Sequence, residues 1–512
     1  MRNSFVSYAL PMLFGLLMAG RDLAYGQRFT PHTVVGTVFA DQNGNGQRES
    51  SEAGVAGVLV SNGVEIVPTD RKGRYRLSTR PGRLIFVVKP RDYAPAQPTS
   101  WYYQPTAASH QTADFALQPA PEKNAYDVVL LGDIQAGSQD DLYHFNHLVT
   151  EELYDDPYAF ALTLGDITFD ELGVYPKTKA SLAALGKPVY AVFGNHDQNY
   201  EVQDALYADS TYQRYFGPSY YALQHGQAHF VVLNDVAYLG QKKYEGRISS
   251  EQLNFLTNYL RHSDPEQLHV LAMHIPLAEV VNKADLLRVL AGHSNVAFIS
   301  AHEHRNRREY HLQPTGPAWQ EIVVGATCGS WWQGEHDIFG IPSALMNCGA
   351  PKGYWKMQVG EHSDYQLAYK ASQYPATFQM SVWTPEDSEW DPAQNLPADS
   401  TRSVAMINVF AGSPKTRVEF RLNDGAWQPA YPVMTPDPYV ARLYQLQQRR
   451  VYPSAKASAL AGKAEPSPHL WRARLPSGLP VGTHKIEVRA TDPCGLNARA
   501  YRVLTVHPSS LR

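Results

Sequence analysis

The stretch Val189-Tyr-Ala-Val-Phe-Gly-Asn-His-Asp197 decides the fold of this chain. It is an apolar run of the length of a β-strand, and Asn195, His196 and Asp197 follow it at once. In open α/β sheets the carboxyl ends of neighbouring strands meet along one crevice, and functional side chains sit there. The stretch therefore predicts an α/β domain whose site lies at the ends of its strands.

Four further apolar runs end in the same way, and these are 128–131, 159–162, 270–272 and 296–299. The polar residues that follow them are Asp133, Gln135, Asp166, His274, His302 and His304. Segments with a helical pattern alternate with the strands, at 140–153, 179–185, 250–260 and 283–290. Alternating β and α elements predict a layered α/β domain, which we place at residues 125–349.

These oxygen and nitrogen donors suit the metal-dependent hydrolysis of a phosphoester. Two divalent ions about 4 Å apart can neutralise the phosphoryl oxygens and activate a water. Asp166 is the candidate for a carboxylate shared by both ions, and Asn195 adds a donor without adding charge. Imidazoles suit Zn, Fe, Mn or Ni, whereas carboxylates and amides favour harder ions. His196 could protonate the leaving oxygen, with Asp197 fixing its tautomer.

The order of these clusters resembles the calcineurin-like metallophosphoesterase superfamily, whose pattern is D-x-H, G-D, G-N-H-[DE], a lone His and G-H-x-H. Here it is carried by Asp133-Ile-Gln135, Gly165-Asp166, Gly194-Asn-His-Asp197, His274 and Ala301-His-Glu-His304. The resemblance implies a four-layer α/β/β/α sandwich with two metal sites. The first site would comprise Asp133, Gln135, Asp166 and His304, and the second Asp166, Asn195, His274 and His302.

The chain departs from the family pattern at two positions. Ala301 replaces a Gly, and Gln135 replaces the first His. Because an amide is a weaker neutral donor than an imidazole, the first site should hold its ion less tightly and favour Mn²⁺ or Mg²⁺. The same Asp-x-Gln variant occurs in the manganese-dependent ADP-ribose/CDP-alcohol diphosphatase branch, which makes phosphodiesters or nucleotide diphosphates the expected substrates. The alternatives are a phosphomonoesterase, or a surface binding protein with a decayed catalytic domain.

Residues 33–120 predict an all-β module that resembles the carboxypeptidase-regulatory or Cna-B-like sandwiches of exported proteins. Within it, residues 41–52 match the twelve-residue calcium loop, with Gly46 at the sixth position. The donors would be Asp41, Asn43, Asn45, Glu49 and Glu52, with Gln47 at the position that binds through its backbone carbonyl. A plain Asn/Gly-rich turn is the alternative to a calcium site.

Residues 351–512 predict a second all-β domain, an immunoglobulin-like sandwich. Val418, Phe420 and Leu422 alternate with polar residues, and 486–490 repeat this pattern. No further helices are expected, and 445–467 is predicted to be a long loop. The three-part layout resembles a group of exported bacterial calcineurin-like proteins, in which either β module could contact carbohydrate or the cell envelope.

The first 26 residues predict a signal peptide. Arg2 precedes an apolar run over 9–20 that is too short to span a bilayer, and Ala24-Tyr-Gly26 supplies small residues before a cut. An uncleaved anchor is the alternative. We expect the enzyme to be periplasmic or secreted and to act on a small-molecule phosphoester. A net charge of -4 with no basic stretch argues against broad nucleic-acid binding.

Three groups of residues near the predicted site have competing interpretations. Cys328 and Cys348 could form a disulfide, or the three cysteines could be buried thiols. Trp331 and Trp332 could stack on a substrate or pack between domains. The third group, Arg305, Arg307 and Arg308, could bind a second phosphate or form a solvated strand edge. Asp170 and Glu171 are predicted to be loop surface.

Overall fold

The computed structural model describes residues 32–79, 82–97, 100–106, 108, 110–313, 316–384, 404–448, 464–476 and 478–506. The predicted signal peptide, residues 1–26, lies outside the described residues, as does the part of the predicted loop at 449–463. Within the described ranges, no helix combines the length and the apolar character needed to cross a membrane.

The N-terminal segment folds into two small sheets. Its strands are β1 (His32–Ala40), β2 (Leu59–Ser61), β3 (Ile66–Pro68), β4 (Arg74–Thr79), β5 (Ile85–Val87), β6 (Tyr93–Pro95), β7 (Tyr102–Tyr103), β8 (His110–Thr112) and β9 (Phe115–Pro119). One sheet has the order β4-β1-β9-β6 with β8 beside β1, and the other has the order β3-β2-β5-β7. Val34, Val60 and Phe115 are buried in a core between them.

The central segment alternates strands with helices. Its strands are β10 (Tyr126–Leu131), β11 (Phe160–Leu164), β12 (Val189–Val192), β13 (Tyr221–His225), β14 (Ala228–Val232), β15 (Val236–Gly240), β16 (Lys243–Gly246), β17 (Leu268–Ala272), β18 (Val296–Ser300), β19 (Arg307–His311), β20 (Trp319–Val323), β21 (Gly353–Val359) and β22 (Tyr365–Ala371). Its helices are α1 (Gln139–Phe145), α2 (Glu151–Leu153), α3 (Tyr175–Ala183), α4 (Ser210–Phe216), α5 (Ser250–Leu260) and α6 (Lys283–Val289). A π-helical turn, Asn146–Thr150, joins α1 to α2.

Two mixed sheets carry the central segment. The first has the order β12-β11-β10-β21-β22 and the second the order β13-β14-β17-β18-β20-β19. Pairing is parallel among β10, β11 and β12, and likewise among β14, β17, β18 and β20. Because β21 pairs antiparallel with β10, the first sheet continues to Ala371, and the boundary expected at 349–351 falls too early. The two strands beyond that boundary return to the first sheet instead of starting a new domain.

The sequence of strand β10 is a continuous apolar run because both faces of the strand are buried. Val128 and Leu130 belong to a core shared with Phe230 and Val232 of β14 in the other sheet. Val129 and the alternate residues pack instead against the helices α1 to α3. A strand covered on both sides needs apolar side chains at successive positions, and each fully buried one contributes about 2 kcal/mol.

The C-terminal segment forms two four-stranded sheets. Its strands are β23 (Met380–Trp383), β24 (Val404–Val409), β25 (Arg417–Leu422), β26 (Gln428–Pro429), β27 (Tyr431–Val433), β28 (Leu470–Arg474), β29 (Gly482–Thr491) and β30 (Asn497–Val506). The orders are β23-β24-β28-β27 and β26-β25-β29-β30.

The expectation that no helix follows residue 351 is wrong, because α7 (Pro438–Gln448) lies between β27 and β28. Its start has a clear cause: the Asp437 carboxylate accepts the backbone N–H groups of Tyr439 and Val440 at 2.9 and 3.2 Å. An Asp followed by Pro is a helix start signal. Only Val440 of this helix is buried.

Both flanking segments are bonded to the central one. The Lys89 ammonium donates to the Gln224 carbonyl at 2.8 Å, and the Asn258 side chain of α5 donates to the Val64 carbonyl at 2.8 Å. At the other end Arg308 of β19 is buried and donates to Asp492 at 2.6 Å. Arg308 is therefore neither a phosphate ligand nor part of a solvated edge; it is half of a buried ion pair between segments.

Candidate metal centre

The predicted donors all follow carboxyl ends of parallel strands. Asp133 lies two residues after β10, Asp166 two after β11, and Asn195 three after β12. His274 lies two residues after β17 and His302 two after β18. Because the two sheets place these strand ends at a common edge, residues from five strands meet in one buried group.

One half of this group centres on His274. Its Nε2 lies 3.0 Å from Asn195 Oδ1, 3.3 Å from Asp166 Oδ2 and 3.1 Å from His302 Nδ1. Its other ring nitrogen, Nδ1, donates to the Leu164 carbonyl at 2.8 Å. That hydrogen bond fixes the ring and leaves Nε2 facing the other donors. One ligand atom from each of Asp166, His274 and His302 lies within 4.8 Å of the other two.

The other half centres on Gln135 and His304. The Gln135 amide donates to Asp166 Oδ2 at 3.0 Å and lies 3.4 Å from His304 Nε2. His304 donates its Nδ1 proton to the Gly329 carbonyl at 2.8 Å, and its Nε2 lies 3.7 Å from Asp133 Oδ1. Asp166 therefore touches both halves. The structure brings all seven predicted ligand residues into one connected group.

The backbone at this centre is held in an uncommon conformation. Five of the seven residues have φ in the left-handed region, and these are Asp133 (39°), Gln135 (52°), Asp166 (47°), His302 (70°) and His304 (51°). For residues other than glycine each such conformation costs about 1–3 kcal/mol, and such strain clusters at functional sites. The packing of the strands must supply this energy. The left-handed residues turn the loops so that the polar side chains that follow each strand face the centre.

Two glycines permit the close approach of these loops. A Cβ on Gly194 would lie 2.0 Å from the backbone nitrogen of Asp166, and one on Gly165 would lie 2.5 Å from His274 Nδ1. Neither neighbour can retreat, because one is backbone and the other is a ring held by its own hydrogen bond. The Gly before Asp166 and the Gly before Asn195 are thus required by packing.

The charge balance at the centre is strongly acidic. Asp133, Asp166, Asp197 and Asp235 are all buried, and among the described residues none of them pairs with Lys or Arg. Burial raises the pKa of Asp133 well above its ordinary value, and the nearby Asp166 charge raises it further. Burial works against a charged Asp166–His274 pair, but their contact lowers the pKa of Asp166 and raises that of His274. A divalent cation is the charge that would stabilise such a group.

The donor set fits metal ions on a further observation. Asp133 Oδ1 and Gln135 Oε1 are buried and have no hydrogen-bond partner among the described residues, although buried polar atoms are normally paired. Burial lowers the pKa of His302 and of His304 to about 4, so both imidazoles are neutral at pH 7. Neutral imidazole, carboxylate and amide oxygens are the ligands of Mn, Fe or Zn.

His196 has a different partner from the one expected. Its Nδ1 lies 2.7 Å from Asp170 Oδ1, and its backbone N–H donates to Asp166 Oδ1 at 2.8 Å. The prediction that Asp197 fixes the tautomer of His196 is therefore wrong. Asp170 is an exposed loop residue, as predicted, and its carboxylate also contacts the imidazole. The loop after Asp166 turns back over the Asn195–Asp197 turn and brings Asp170 to the imidazole.

Asp197 instead organises the backbone around the centre. Its carboxylate accepts the N–H groups of Ile167, Thr168 and Gly194 at 3.2, 3.1 and 3.0 Å, and the hydroxyl of Tyr175 at 3.0 Å. Burial raises the pKa of Asp197 to about 6, with a smaller contribution from Asp166. The Asp197 carboxylate therefore ties the loop that carries Asp166 to the loop that carries Asn195.

The sequence pattern was not used to identify Asp235, whose carboxylate organises the backbone at His274 as that of Asp197 does near Asp166. Its two oxygens accept the backbone N–H groups of His274 and Ile275 at 3.1 and 2.9 Å. Burial raises its pKa to about 7, although His274 opposes the shift. The signal was present in the sequence, since Asp235 follows the apolar β14 just as the ligands follow their strands.

Aromatic rings line the mouth of the centre. The Trp331 ring is 4.9 Å from that of His304, and the ring of Tyr244 is 6.1 Å from that of His302 at 84°. Trp331 is 37% exposed, so a substrate can reach it. Trp332 points elsewhere, donating to the Ile134 carbonyl at 2.8 Å and packing by His144 within the central segment. Neither tryptophan bridges to the C-terminal segment through these contacts.

Two of the neighbouring arginines are held by Glu303, which lies between the two histidines of the last cluster. Arg305 donates to Glu303 at 2.8 Å, and Arg307 donates to both of its oxygens at 3.0 and 2.8 Å. Arg305 also pairs with Glu465, and Arg307 with Glu309. Their charges are therefore balanced locally, and a role in holding phosphate has no support in these contacts. Cys328 and Cys348 are both buried free thiols, and burial raises the pKa of each.

A second group of donor residues lies outside the centre, at Glu309, His311 and Glu321. His311 Nε2 is 2.7 Å from Glu321, whose other oxygen accepts from Ser300 and from the Leu277 backbone at 3.0 and 2.8 Å. These bonds satisfy the buried Glu321 and hold the loop after His274. We assign this group a structural role.

The predicted calcium loop folds around its acidic residues. Asp41 is buried and accepts the N–H groups of Gly44 and Gly46 at 2.7 and 2.8 Å. Glu52 is buried as well and accepts those of Gln42 and Glu49 at 2.9 and 3.0 Å. The Asn43 and Asn45 side chains donate to Glu49 at 3.3 and 2.6 Å, and Gln47 is exposed. The loop ends are thus fixed and three carboxylates share one turn.

Three family models match the chain in succession. Residues 42–120 match "N terminal of Calcineurin-like phosphoesterase", residues 126–306 match "Calcineurin-like phosphoesterase", and residues 321–497 match "C terminal of Calcineurin-like phosphoesterase". No curated protein matches the chain.

Solved structures give weaker likenesses. The purple acid phosphatase PPD1 of yellow lupin (Lupinus luteus) seeds is 14% identical over 67% of each chain, with a TM-score of 0.37. The shaft pilin SpaA of Lactobacillus rhamnosus GG is 12% identical over 20% of this chain and 55% of its own, with a TM-score of 0.14. Vps29 of Chaetomium thermophilum is 10% identical over 48% of this chain and 97% of its own, with a TM-score of 0.22. Scores this low carry no argument about function.

Proposed function

The chain belongs to the calcineurin-like phosphoesterase family, a family of metal-dependent hydrolases, and from that premise we propose a two-metal phosphoesterase acting on phosphodiesters or nucleotide diphosphates. One observation carries the proposal: seven oxygen and nitrogen donors from five strand ends converge in a buried, acidic group. Within that group Asp133 Oδ1 and Gln135 Oε1 lack a hydrogen-bond partner in the part of the chain that the structure describes. A two-ion centre uses all of these atoms and neutralises the buried carboxylates.

The chain's own residues have distinct parts in this reaction. Asp133, Gln135, Asp166 and His304 would hold one ion, and Asp166, Asn195, His274 and His302 the other. The ions, when bound, supply Lewis acidity toward the phosphoryl oxygens and lower the pKa of a water.

His196 protonates the leaving oxygen in this proposal. A carboxylate only accepts hydrogen bonds, so Asp170 keeps a proton on His196 Nδ1 and leaves Nε2 as the atom that exchanges its proton. Asp170 also holds the ring in place for the transfer of the Nε2 proton.

Manganese is the ion that we propose for the first half of the centre. Gln135 offers a neutral amide where the family pattern has a histidine, and its Oε1 is the free donor atom. Amide and carboxylate oxygens favour harder ions than imidazole does, and Mn²⁺ accepts both kinds of donor. Fe, Zn and Mg are the other ions that the test must include.

The test is the hydrolysis of three substrates by the purified protein with Mn²⁺, Mg²⁺, Fe²⁺, Zn²⁺ or a chelator. They are bis-p-nitrophenyl phosphate, p-nitrophenyl phosphate and ADP-ribose, which represent diesters, monoesters and diphosphates. We expect metal-dependent turnover of the diester and of the diphosphate. Asn195→Ala should lower it by about 10²-fold, because His274 loses a 3.0 Å partner and an ion loses a donor.

Asn254→Ala is the matched control, since Asn254 is exposed on α5 and belongs to the same segment. It should leave turnover unchanged. A preference for p-nitrophenyl phosphate would favour the phosphomonoesterase. No turnover with any ion, from protein that melts cooperatively, would favour the surface binding protein with a decayed centre.

Three further features of the chain are also proposals: its four-layer arrangement, its export, and contact of its β modules with carbohydrate or the envelope. The four-layer arrangement is supported by β10, whose alternate residues face the second sheet and the helices α1 to α3. Export is supported by the leader pattern at residues 1–26, and N-terminal sequencing of the natural protein beginning at Gln27 would test it. Contact of the flanking β modules with carbohydrate or the envelope has only the resemblance behind it.

We also propose that residues 41–52 bind calcium. In that case calcium at a hundred times its Kd should stabilise the protein by about 2.7 kcal/mol, seen as a rise in Tm. Glu52→Gln should abolish the calcium-induced rise, because position 12 supplies two oxygens. Asp70→Asn, which alters an exposed turn of the same module, should keep it. An equal rise in both variants would show that these residues do not bind the ion.

A further inference from the structure

We propose that Lys242 is a specificity-determining residue that binds an anionic group on the leaving side of the substrate, a second phosphoryl group in particular. The proposal rests on the proposed function, because it assigns a contact within that same site. It concerns the hairpin formed by β15 and β16, residues 236–246, which belongs to neither of the two large sheets.

The hairpin is fixed over the mouth of the centre by two tyrosines. The Tyr238 hydroxyl donates to the carbonyls of Tyr200 and Val202 at 2.8 and 2.9 Å. Tyr244, on the second strand, presents its ring to that of His302. The base is held as well, since Arg247 donates its backbone N–H to the Asp235 carbonyl at 2.8 Å. The tip of this hairpin therefore has a defined position relative to the centre.

The tip carries Lys242 on the side of His196. The Lys242 ammonium is 3.6 Å from Asp170 Oδ2 and 4.9 Å from the centroid of the Tyr200 ring. The other oxygen of Asp170 is the partner of His196 Nδ1. Lys242, Asp170 and His196 thus form a row that leads to Asp166, and Lys242 is its outermost member.

The backbone of the hairpin turn is strained, and this strain is a reason to assign a function to the Lys242 side chain. Gln241 and Lys242 have φ of 51° and 62°, the conformation that two-residue hairpins usually fill with Asn-Gly or Gly. Using two ordinary side chains there costs free energy, and an outlier of this kind is a reason to look for function. Lys242 is also mostly exposed, with 62% of its side chain accessible, so packing does not explain its presence.

The charge at this point suits an anion that is attached to the leaving oxygen. In the proposed function the leaving oxygen meets His196 at Nε2, and the hairpin tip that carries Lys242 stands beside the same imidazole. A phosphoryl group bonded to that oxygen is therefore within reach of the long lysine side chain. At 3.6 Å the Lys242–Asp170 contact is longer than a hydrogen bond, and an exposed pair of this kind contributes little. The ammonium is free to turn to a phosphoryl oxygen, for which lysine is a common ligand.

The test compares two substrates that differ in the charge of the leaving group. Attack on bis-p-nitrophenyl phosphate releases p-nitrophenolate, which bears no phosphoryl group, whereas attack on ADP-ribose releases a phosphate monoester. Lys242→Gln should lower kcat/KM for ADP-ribose by about tenfold, mainly through KM, and leave bis-p-nitrophenyl phosphate within twofold. Lys242→Arg should restore most of the loss. Lys243→Gln, which removes the neighbouring exposed ammonium, should change neither substrate.

Equal losses on both substrates would overturn the proposal, because Lys242 would then act through the fold. A loss on ADP-ribose that is confined to kcat would overturn it as well, because Lys242 would then act through Asp170 and His196. No loss on either substrate would overturn it too, as would a wild-type enzyme that hydrolyses bis-p-nitrophenyl phosphate but not ADP-ribose. Failure of the proposed function looks different, since the wild-type protein would then hydrolyse neither substrate with any ion, and the assignment of Lys242 would fall with it.

Discussion

Replacing Asp166 with Asn is expected to lower the turnover of every substrate by about 10³-fold, equivalent to about 4 kcal/mol of transition-state stabilisation. Asp166 contacts side chains in both halves of the centre, Gln135 at 3.0 Å and His274 at 3.3 Å. An amide in its place keeps the shape but removes the charge that two ions would share. The measurement is kcat with saturating Mn²⁺, together with the metal content of the protein by mass spectrometry.

Metal content separates this prediction from a general loss of structure. Asp166→Asn should bind at least one ion fewer per chain and should still melt cooperatively. Asp155→Asn, which replaces an exposed carboxylate of the same segment, should match the wild-type protein in turnover and in metal content. Full metal content with full activity in Asp166→Asn would remove Asp166 from the centre.

The strands and the ligand clusters could be predicted because each depends on local sequence. A strand buried on both faces needs an apolar run, and the polar residue after it lies at the sheet edge wherever that strand is placed. This is why β10, β11 and β12 were recognisable from Val128–Leu131, Ala159–Leu162 and Val189–Phe193. The positions of β21 and β22 were not, because their return to β10 depends on pairing across more than 200 residues.

The partner of His196 could not be predicted for a related reason. Asp197 is adjacent in sequence, but its side chain is turned inward by the N–H groups of Ile167 and Thr168. Asp170 reaches the imidazole only because the loop after β11 folds back, with Asp170 itself at a φ of 61°. A residue in the left-handed conformation reverses the chain direction. Because Asp adopts this conformation more readily than most residues, no glycine is needed there and the sequence does not show where the reversal occurs.

The same limit explains the loops around the centre. The hairpin at 236–246 owes its place to the Tyr238 hydroxyl, whose acceptors Tyr200 and Val202 are more than 30 residues away in the chain. Trp331 and Trp332 are neighbours in sequence, yet one is at the mouth and the other is under α1. Which of two adjacent side chains serves the site is decided by tertiary contacts and not by residue type.

Asp170→Asn and Asp197→Asn are expected to fail in opposite ways, which makes the pair a test of the acid in the reaction. Asp170→Asn should lower kcat by about 10²-fold for ADP-ribose, because an amide can also donate to Nδ1 and no longer fixes the proton of His196 on that atom. For bis-p-nitrophenyl phosphate the loss should be several-fold at most, since p-nitrophenolate is a good leaving group and needs little help from an acid. Its Tm should stay within about 2 °C of the wild-type value, because the Asp170 side chain is 34% exposed and bonds only at the surface.

Asp197→Asn should instead lower the stability of the protein by about 2 kcal/mol, because a buried acceptor of three backbone N–H groups becomes in part a donor. Its activity loss should be similar for both substrates, as the loops that carry Asp166 and Asn195 lose their common anchor. The leaving-group dependence of kcat therefore distinguishes a residue that supports the acid from one that supports the backbone. If Asp197→Asn shows the selective loss and Asp170→Asn does not, then the imidazole turns during catalysis and Asp197 is its partner after all.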